Sequence, residues 1–350
     1  MKDLKSSILR FSSDHSSFSV SDLLTHFSGG YSRVYLSKLV NQLVKDGKLL
    51  RSGSTRSARY ASKQHRAALG TYSKKRFKNQ NIEEDRIYQG FERELPFIQD
   101  LPEHLRSILV YAFSEMLNNA IEHSQSDFIE VELGKEGDDI FFTINDFGIG
   151  VFRNVKEKRG LKSEPEAMQD LLKGKTTTAP RTHSGEGIFF TSKAGDSLIL
   201  DSFGYTLKVD NEIPDVLMVE SKYLKKGTRV TFLLRIGHEK HLDSVFREFY
   251  TDPEEFAFDK TKILVKLYTR ETIYISRSQA RRLLEGLEKF KTVVLDFEQV
   301  PGVGQAFCDE IFRVFNVAHP EVDIETVNTN ESVHFMIERA KNNTLSGPEG

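Results

Sequence analysis

The chain has 350 residues, with 49 Lys and Arg against 51 Asp and Glu, 38% hydrophobic residues and one cysteine. That length predicts two or three domains, and Cys308 alone excludes an internal disulfide framework and suits a reducing cytoplasm. No apolar run is long enough to span a bilayer and the polar N-terminus is unlike a signal peptide, so a soluble cytoplasmic protein with no membrane partner is expected.

Residues 1–80 hold 16 Lys and Arg against 4 Asp, a net of +12, so the remainder nets −14. Within them, residues 1–65 read as a helical module. Leu4, Ile8 and Leu9 begin a first helix, and Ser19-Val20-Ser21-Asp22 predicts an N-capped second one, stopped by Ser28-Gly29-Gly30. A third runs from Tyr31 to Asp46 with Leu36, Leu39, Val40, Leu43 and Val44 inward. Leu49–Arg51 and Ala58–Tyr60 can then pair as strands. The layout resembles a winged helix-turn-helix. That resemblance implies DNA contact through Arg33, Tyr35, Lys38, Asn41, Gln42 and Lys45 on the outer face of the third helix, with Arg51, Arg56 and Arg59 lining the wing. Basic residues placed there neutralise phosphates, and Asn41 or Gln42 can reach base edges. The alternative is a module used for protein contact or dimerisation.

Residues 66–80 are basic and poor in apolar side chains, as in a linker or exposed helix. Ile82–Ile98 is amphipathic. Pro102 precedes a helical pattern from about Glu103 in which Leu105, Ile108, Leu109, Ala112, Phe113, Met116 and Leu117 form an apolar stripe. Late in that helix Glu115, Asn119, Glu122 and His123 stand at i, i+4, i+7 and i+8 and share a face. Facing a nucleotide, Asn119 can ligand a hydrated Mg²⁺, and Glu115 can orient and deprotonate an attacking water or hydroxyl. Read alone, the segment is equally the polar face of an ordinary amphipathic helix.

Residues 128–133 and 140–145 alternate as two strands, and the second runs through Asp146 into Phe147-Gly148-Ile149-Gly150. Residues 151–183 are charged and read as a long segment that lacks a fixed fold without phosphates to gather around. Lys175 there either reaches phosphates or is simply solvated. Ser184-Gly185-Glu186-Gly187 predicts a loop entering a helix. Strands follow near 197–201, 204–209, 216–220 and 229–234, the last preceded by Lys226-Gly227-Thr228.

An acid–Asn helix, Asp-x-Gly-x-Gly, Gly-x-Gly and a Gly-Thr strand, in that order within ~115 residues, resemble the N, G1, G2 and G3 boxes of the Bergerat-fold (GHKL) ATPases. The resemblance implies an α/β sandwich over residues 81–237, with a mixed sheet and helices on one face, binding ATP and Mg²⁺. Asp146 would accept a hydrogen bond from the adenine amino group. Gly148 and Gly150 would let the backbone approach the base, Gly185 and Gly187 would open a helix toward the phosphates, and Thr228 would bring a hydroxyl near the adenine. Glu122 and His123 would border the same site. The pattern Ser-Glu-x-x-x-Asn-Ala-Ile-x-His is similar to the anti-sigma serine kinases, whereas histidine kinases usually carry Asn where Glu115 stands.

After Gly237, strands at 262–267, 272–275, 292–297 and 323–327 alternate with helices at 277–290, 304–315 and 331–339, predicting a small α/β domain over 255–340. Leu295-Asp296-Phe297-Glu298-Gln299-Val300 followed by Phe307-Cys308-Asp309-Glu310 resembles STAS-like domains. There the family carries a phosphoacceptor Ser, but Gly302-Val303-Gly304-Gln305-Ala306 offers no hydroxyl. Cys308 is expected to pack in the core. The whole reads as an α+β multidomain regulatory switch of bacterial type. It would use ATP by hydrolysis or phosphotransfer and couple that to DNA, a regulatory protein partner or a homodimer contact. The alternative is a non-catalytic ATP sensor.

Overall fold

A computed structural model describes residues 2–28, 30–52, 58–69, 72–175, 186–221, 224–252, 254–255, 257–268 and 274–345. Arg56 and Gly185, both expected to touch ligands, lie outside the described residues. The chain divides into two units, Met1–Asn154 with Thr191–His241, and Val155–Phe190 with Leu242–Gly350.

The first unit opens with α1 (Lys2–Asp14), α2 (Val20–His26) and α3 (Arg33–Lys45), followed by β1 (Leu50–Ser52) antiparallel to β2 (Arg59–Ala61). The Ser19 and Asp22 side chains cap α2 reciprocally, the Ser19 amide donating to Asp22 Oδ2 at 2.7 Å. Ile8, Phe18, Leu36, Leu39, Val40 and Leu43 form the buried centre. Arg33, Lys38, Gln42 and Lys45 are exposed and Asn41 is half-buried. Tyr35, expected on the outer face, packs against the core instead. Its neighbour Val34 is 79% exposed in its place.

Next come β3 (Tyr72–Lys78), α4 (Glu84–Glu94), α5 (Glu103–His123), β4 (Phe128–Glu136) and β5 (Asp139–Asp146). Residues 72–78 are thus a strand, not a linker. Their basic residues have partners that sequence proximity does not reveal. Lys74 and Arg76 lie opposite Glu132 and Glu130 across the sheet, while Lys75 turns to Glu94 of α4 at 2.9 Å. Then follow α6 (Val151–Arg159), α7 (Glu164–Lys173), α8 (Gly187–Ala194), β6 (Ser197–Ser202), β7 (Tyr205–Asp210), β8 (Asp215–Glu220) and β9 (Thr228–Arg235). Of the stretch expected to lack a fixed fold without phosphates, residues 151–175 hold two helices and residues 176–183 lie outside the described residues. Ser163 caps α7 through the Glu166 amide, and Pro165 sits in its first turn.

The seven strands run in the order β3-β4-β5-β9-β6-β7-β8, and every pairing is antiparallel, which corrects the expected mixed sheet. Short hairpins join β4 to β5, β6 to β7 and β7 to β8, and a hairpin imposes antiparallel pairing. Helix α5 buries its apolar stripe on one face of this sheet. The Phe113 ring lies 5.5 Å from Phe142, which stacks on Phe232 at 4.9 Å.

The second unit takes in α7 and continues with α9 (Leu242–Arg247), β10 (Lys260–Leu264), α10 (Arg277–Leu284), β11 (Thr292–Asp296), α11 (Gln305–Asp309), a π-helical turn Glu310–Phe315, α12 (Asn316–Ala318), β12 (Asp323–Val327) and α13 (Glu331–Leu345). Strands β10, β11 and β12 form a parallel sheet, with β11 buried at every position, as an unbroken apolar run at a sheet centre requires. The strand expected to reach residue 267 ends at Leu264 and turns into a 3₁₀ segment, Val265–Tyr268. Of the strand expected at 272–275, residues 272–273 lie outside the described residues and Tyr274 makes a single bridge to Val303. Cys308 is buried, and burial pushes its thiol up to about 12. Among the described residues no helix is long and apolar enough to cross a membrane.

Candidate functional site

Helix α5 runs unbroken for 21 residues, so Glu115, Asn119, Glu122 and His123 do share one face. Glu115, Asn119 and His123 are half-buried there and Glu122 is exposed. The helix stops at Ser124, whose hydroxyl turns back onto the Ala120 carbonyl at 2.5 Å. That end is fastened to the glycine-rich loop after β5. The Ile149 amide donates to the Ser124 carbonyl at 2.9 Å, and the Phe147 amide to Ser126 Oγ at 3.0 Å. Contact is close enough that a Cβ on Gly148 would lie 1.7 Å from the Ser124 oxygen. No side chain fits at Gly148.

Asp146 is the hub of the loop. Buried at 4% exposure, its Oδ1 accepts from the Gly148 amide at 2.9 Å and from the Thr228 amide at 3.1 Å. Two motifs 82 residues apart in sequence thereby meet on one carboxylate. Burial pushes this carboxyl above its ordinary value, while those two hydrogen bonds and the Lys225 charge pull the other way. Thr228 Oγ1 in turn accepts from the Val151 amide at 2.9 Å, tying the first residue of α6 to the head of β9. Gly227 stands at φ +77°, and a Cβ there would lie 2.5 Å from Asp146 Oδ1. Gly150 completes the group, its amide-to-helix junction carrying the Asn154 N–H bond back to its carbonyl at 3.0 Å.

Asp146, Gly148, Gly150 and Thr228 are therefore brought together, at the C-terminal end of the helix that carries Glu115 and Asn119. Gly187 begins α8, as expected from its motif. Lys175 is engaged within the second unit, where its Nζ donates to the Lys289 carbonyl at 3.0 Å and lies 4.8 Å above the Phe290 ring. Of the basic residues in the first module, Arg59 bonds Ser17 Oγ at 2.8 Å and Arg33 bonds Ser21 Oγ at 3.3 Å, while Arg51 is half-buried. Among the described residues no three His, Cys, Asp or Glu side chains are grouped to hold a metal ion.

Several participants carry weak sequence signals. Lys225 Nζ donates to the Asp146 carbonyl at 2.5 Å and to the Lys226 carbonyl, and it sits 4.7 Å over the Phe147 ring. A lysine before Lys226-Gly227-Thr228 looks like surface charge until the loop it clasps is known. Ser124 and Ser126 are polar residues after a helix, with no motif of their own. Arg153 lies 3.5 Å over the ring of Phe203, which adopts φ 45° at the β6–β7 turn beside Gly150.

Residues 87–209 match a family described as "Histidine kinase-like ATPase domain". Residues 279–334 match "STAS-like domain of unknown function (DUF4325)". No curated protein matches the chain. The first match takes in α5, Asp146, Gly148 and Gly150 and ends before Thr228, which the fold itself brings to Asp146.

Proposed function

We propose that the chain is an ATP- and Mg²⁺-dependent regulatory switch whose nucleotide site is built on α5, the loop after β5 and the head of β9. One observation carries the reading. The buried Asp146 carboxylate is oriented by two backbone amides in a cradle where Gly148 leaves no room for a side chain. A carboxylate so fixed can accept from an adenine amino group without reorganising, and Thr228 and the loop backbone would border the base. Glu122 and His123 would border the nucleotide from the end of α5.

The donors also suit the metal. The Asn119 carboxamide oxygen is a hard ligand of the kind a hydrated Mg²⁺ accepts, with phosphate oxygens and water completing its sphere. Mg²⁺ supplies neutralisation of phosphate charge. Glu115, one turn N-terminal on the same face, would orient the attacking hydroxyl and take its proton. The Gly185–Gly187 segment would serve the phosphates, whereas Lys175 is occupied within the second unit. The loop Gly302–Ala306 at the start of α11 offers no hydroxyl, which favours water or a separate protein as the acceptor.

Residues 1–65 would form the output module as a winged helix-turn-helix. The exposed Arg33, Lys38, Gln42 and Lys45 on one helix support phosphate contact, with Asn41, Arg51, Arg56 and Arg59 as further contacts. Incubation with γ-labelled ATP and Mg²⁺ tests the core of the reading. Label released as free phosphate identifies an ATPase, and label on protein identifies a kinase. Label retained in ATP that nevertheless binds identifies a sensor, and no binding at all refutes the assignment. Retention of duplex DNA by the full chain at low salt, lost on raising salt, tests the output module.

A further inference from the structure

Helix α7 lies in sequence between the two glycine-rich motifs of the nucleotide site, yet it is built into the fold of the C-terminal domain. Ala167, Met168 and Leu171 are buried, and so are the polar residues Asp170 and Lys173. Lys173 Nζ donates to the carbonyls of Arg282 and Glu285 at 3.1 and 2.7 Å. Those carbonyls belong to the last turn and cap of α10, where a cation also complements the helix dipole. From the sheet, Thr261 Oγ1 of β10, fully buried, donates to the Lys173 carbonyl at 2.7 Å. Gln169 Nε2 donates to the Leu267 carbonyl at 2.6 Å, and Tyr268 Oη donates back to the Gln169 carbonyl at 3.3 Å.

A segment whose sole task was to cover a ligand would keep its polar groups solvated. Pulling α7 away would instead strand a buried ammonium, two helix-end carbonyls and a strand hydroxyl without partners. Gly174, which follows, is held as tightly, since a Cβ at its φ of +82° would lie 2.5 Å from the Phe258 ring.

We infer that α7 and the C-terminal STAS-like domain move as one body, so that this domain is the control element of the nucleotide site. Resting on the ATP reading above, this specifies how the site is regulated. The segment leaves the first unit after Asn154, within α6, and rejoins it at Thr191, within α8. A nucleotide that distinguishes two placements of this segment must therefore distinguish two states of the C-terminal domain. By linkage, a ligand of that domain must change nucleotide affinity by the same factor.

Hydrogen exchange on the full chain, with and without a non-hydrolysable ATP analogue and Mg²⁺, tests this. The expected result is a change of about tenfold in exchange at β10 and α10 together with the response of residues 146–150. Gln169→Leu and Thr261→Val each loosen α7 without touching the nucleotide motifs, and either suffices if the other fails to fold. In them residues 146–150 should still respond while the response at β10 and α10 falls below about threefold. A wild-type response at 146–150 with none at β10 and α10, or a full response surviving in folded variants, overturns the inference and leaves ATP binding intact. No response at 146–150 refutes nucleotide binding, and this inference with it.

Discussion

Gly148→Ala is the sharpest perturbation of the candidate site, because it adds one methyl group and no charge. The new Cβ would lie 1.7 Å from the Ser124 carbonyl oxygen, 2.6 Å from its carbon and 3.1 Å from the Ser126 amide nitrogen. Those are backbone atoms at the end of a 21-residue helix, so the loop must yield, by roughly 1.5 Å or more. Three hydrogen bonds depend on its present position. They run from Ile149 N to Ser124 O at 2.9 Å, from Phe147 N to Ser126 Oγ at 3.0 Å, and from Gly148 N to Asp146 Oδ1 at 2.9 Å. At about 1 kcal/mol each, losing all three costs about 3 kcal/mol, roughly a hundredfold in Kd if the site must re-form to bind. Calorimetric titration with an ATP analogue and Mg²⁺, beside thermal unfolding of the same samples, separates affinity from stability. Gly237→Ala is the control, since a Cβ there meets nothing within 4 Å. A Gly148→Ala protein that binds within about threefold of wild type would refute the reasoning.

Asp146→Asn should weaken ATP binding and flatten its pH dependence. In the proposed site the ionised carboxylate would be the acceptor, and burial raises its pKa, so affinity should fall on acidification before an ordinary aspartate would protonate. The stability linkage has the opposite sign: a raised folded pKa favours the folded state at low pH, and that contribution is lost as pH rises through it. Glu115→Ala should keep nucleotide affinity while turnover drops by about 10²- to 10⁴-fold, read from γ-phosphate release, and equal rates would remove Glu115 from the mechanism. Burial lowers the Lys173 ammonium to about 8, so between there and the ordinary lysine value the unfolded chain binds the extra proton. Thermal stability should therefore rise from pH 8 to about 9.5 in wild type and lose that slope in Lys173→Met, and parallel profiles would contradict the assignment.

What the sequence disclosed depended on whether the deciding contact was local. The Ser19–Asp22 capping box and the stripe on α5 are local, and both elements form where their residues predict. β3 was illegible because Lys74 and Arg76 owe their placement to Glu132 and Glu130, more than fifty residues downstream. Sheet direction failed for a related reason, since β9 joins β5 at a distance no pattern within either strand specifies. α7 is different. Ser163, Pro165 and Glu166 spell a helix start, yet the dense charge of residues 151–183 masks it. At the candidate site, Asp146 and the glycines could be picked out by the resemblance of their motifs to the family boxes. Lys225 and Ser126 could not, because their roles exist only against the folded loop.

The outermost strand of the large sheet, β3, also bears on assembly. Lys74, Arg76 and Lys78 are exposed on one face of this strand, which among the described residues pairs with β4 alone, as befits the end of the strand order. Were a second copy to approach by continuing the sheet there, cations would face cations at every other position. A row of lysines on a sheet border is a recognised deterrent to such stacking. Its strength is tied to ionic strength, since charges are muffled beyond about 8 Å in physiological salt. The basic character of this strand would therefore act as a fender against continuation of the sheet at this border.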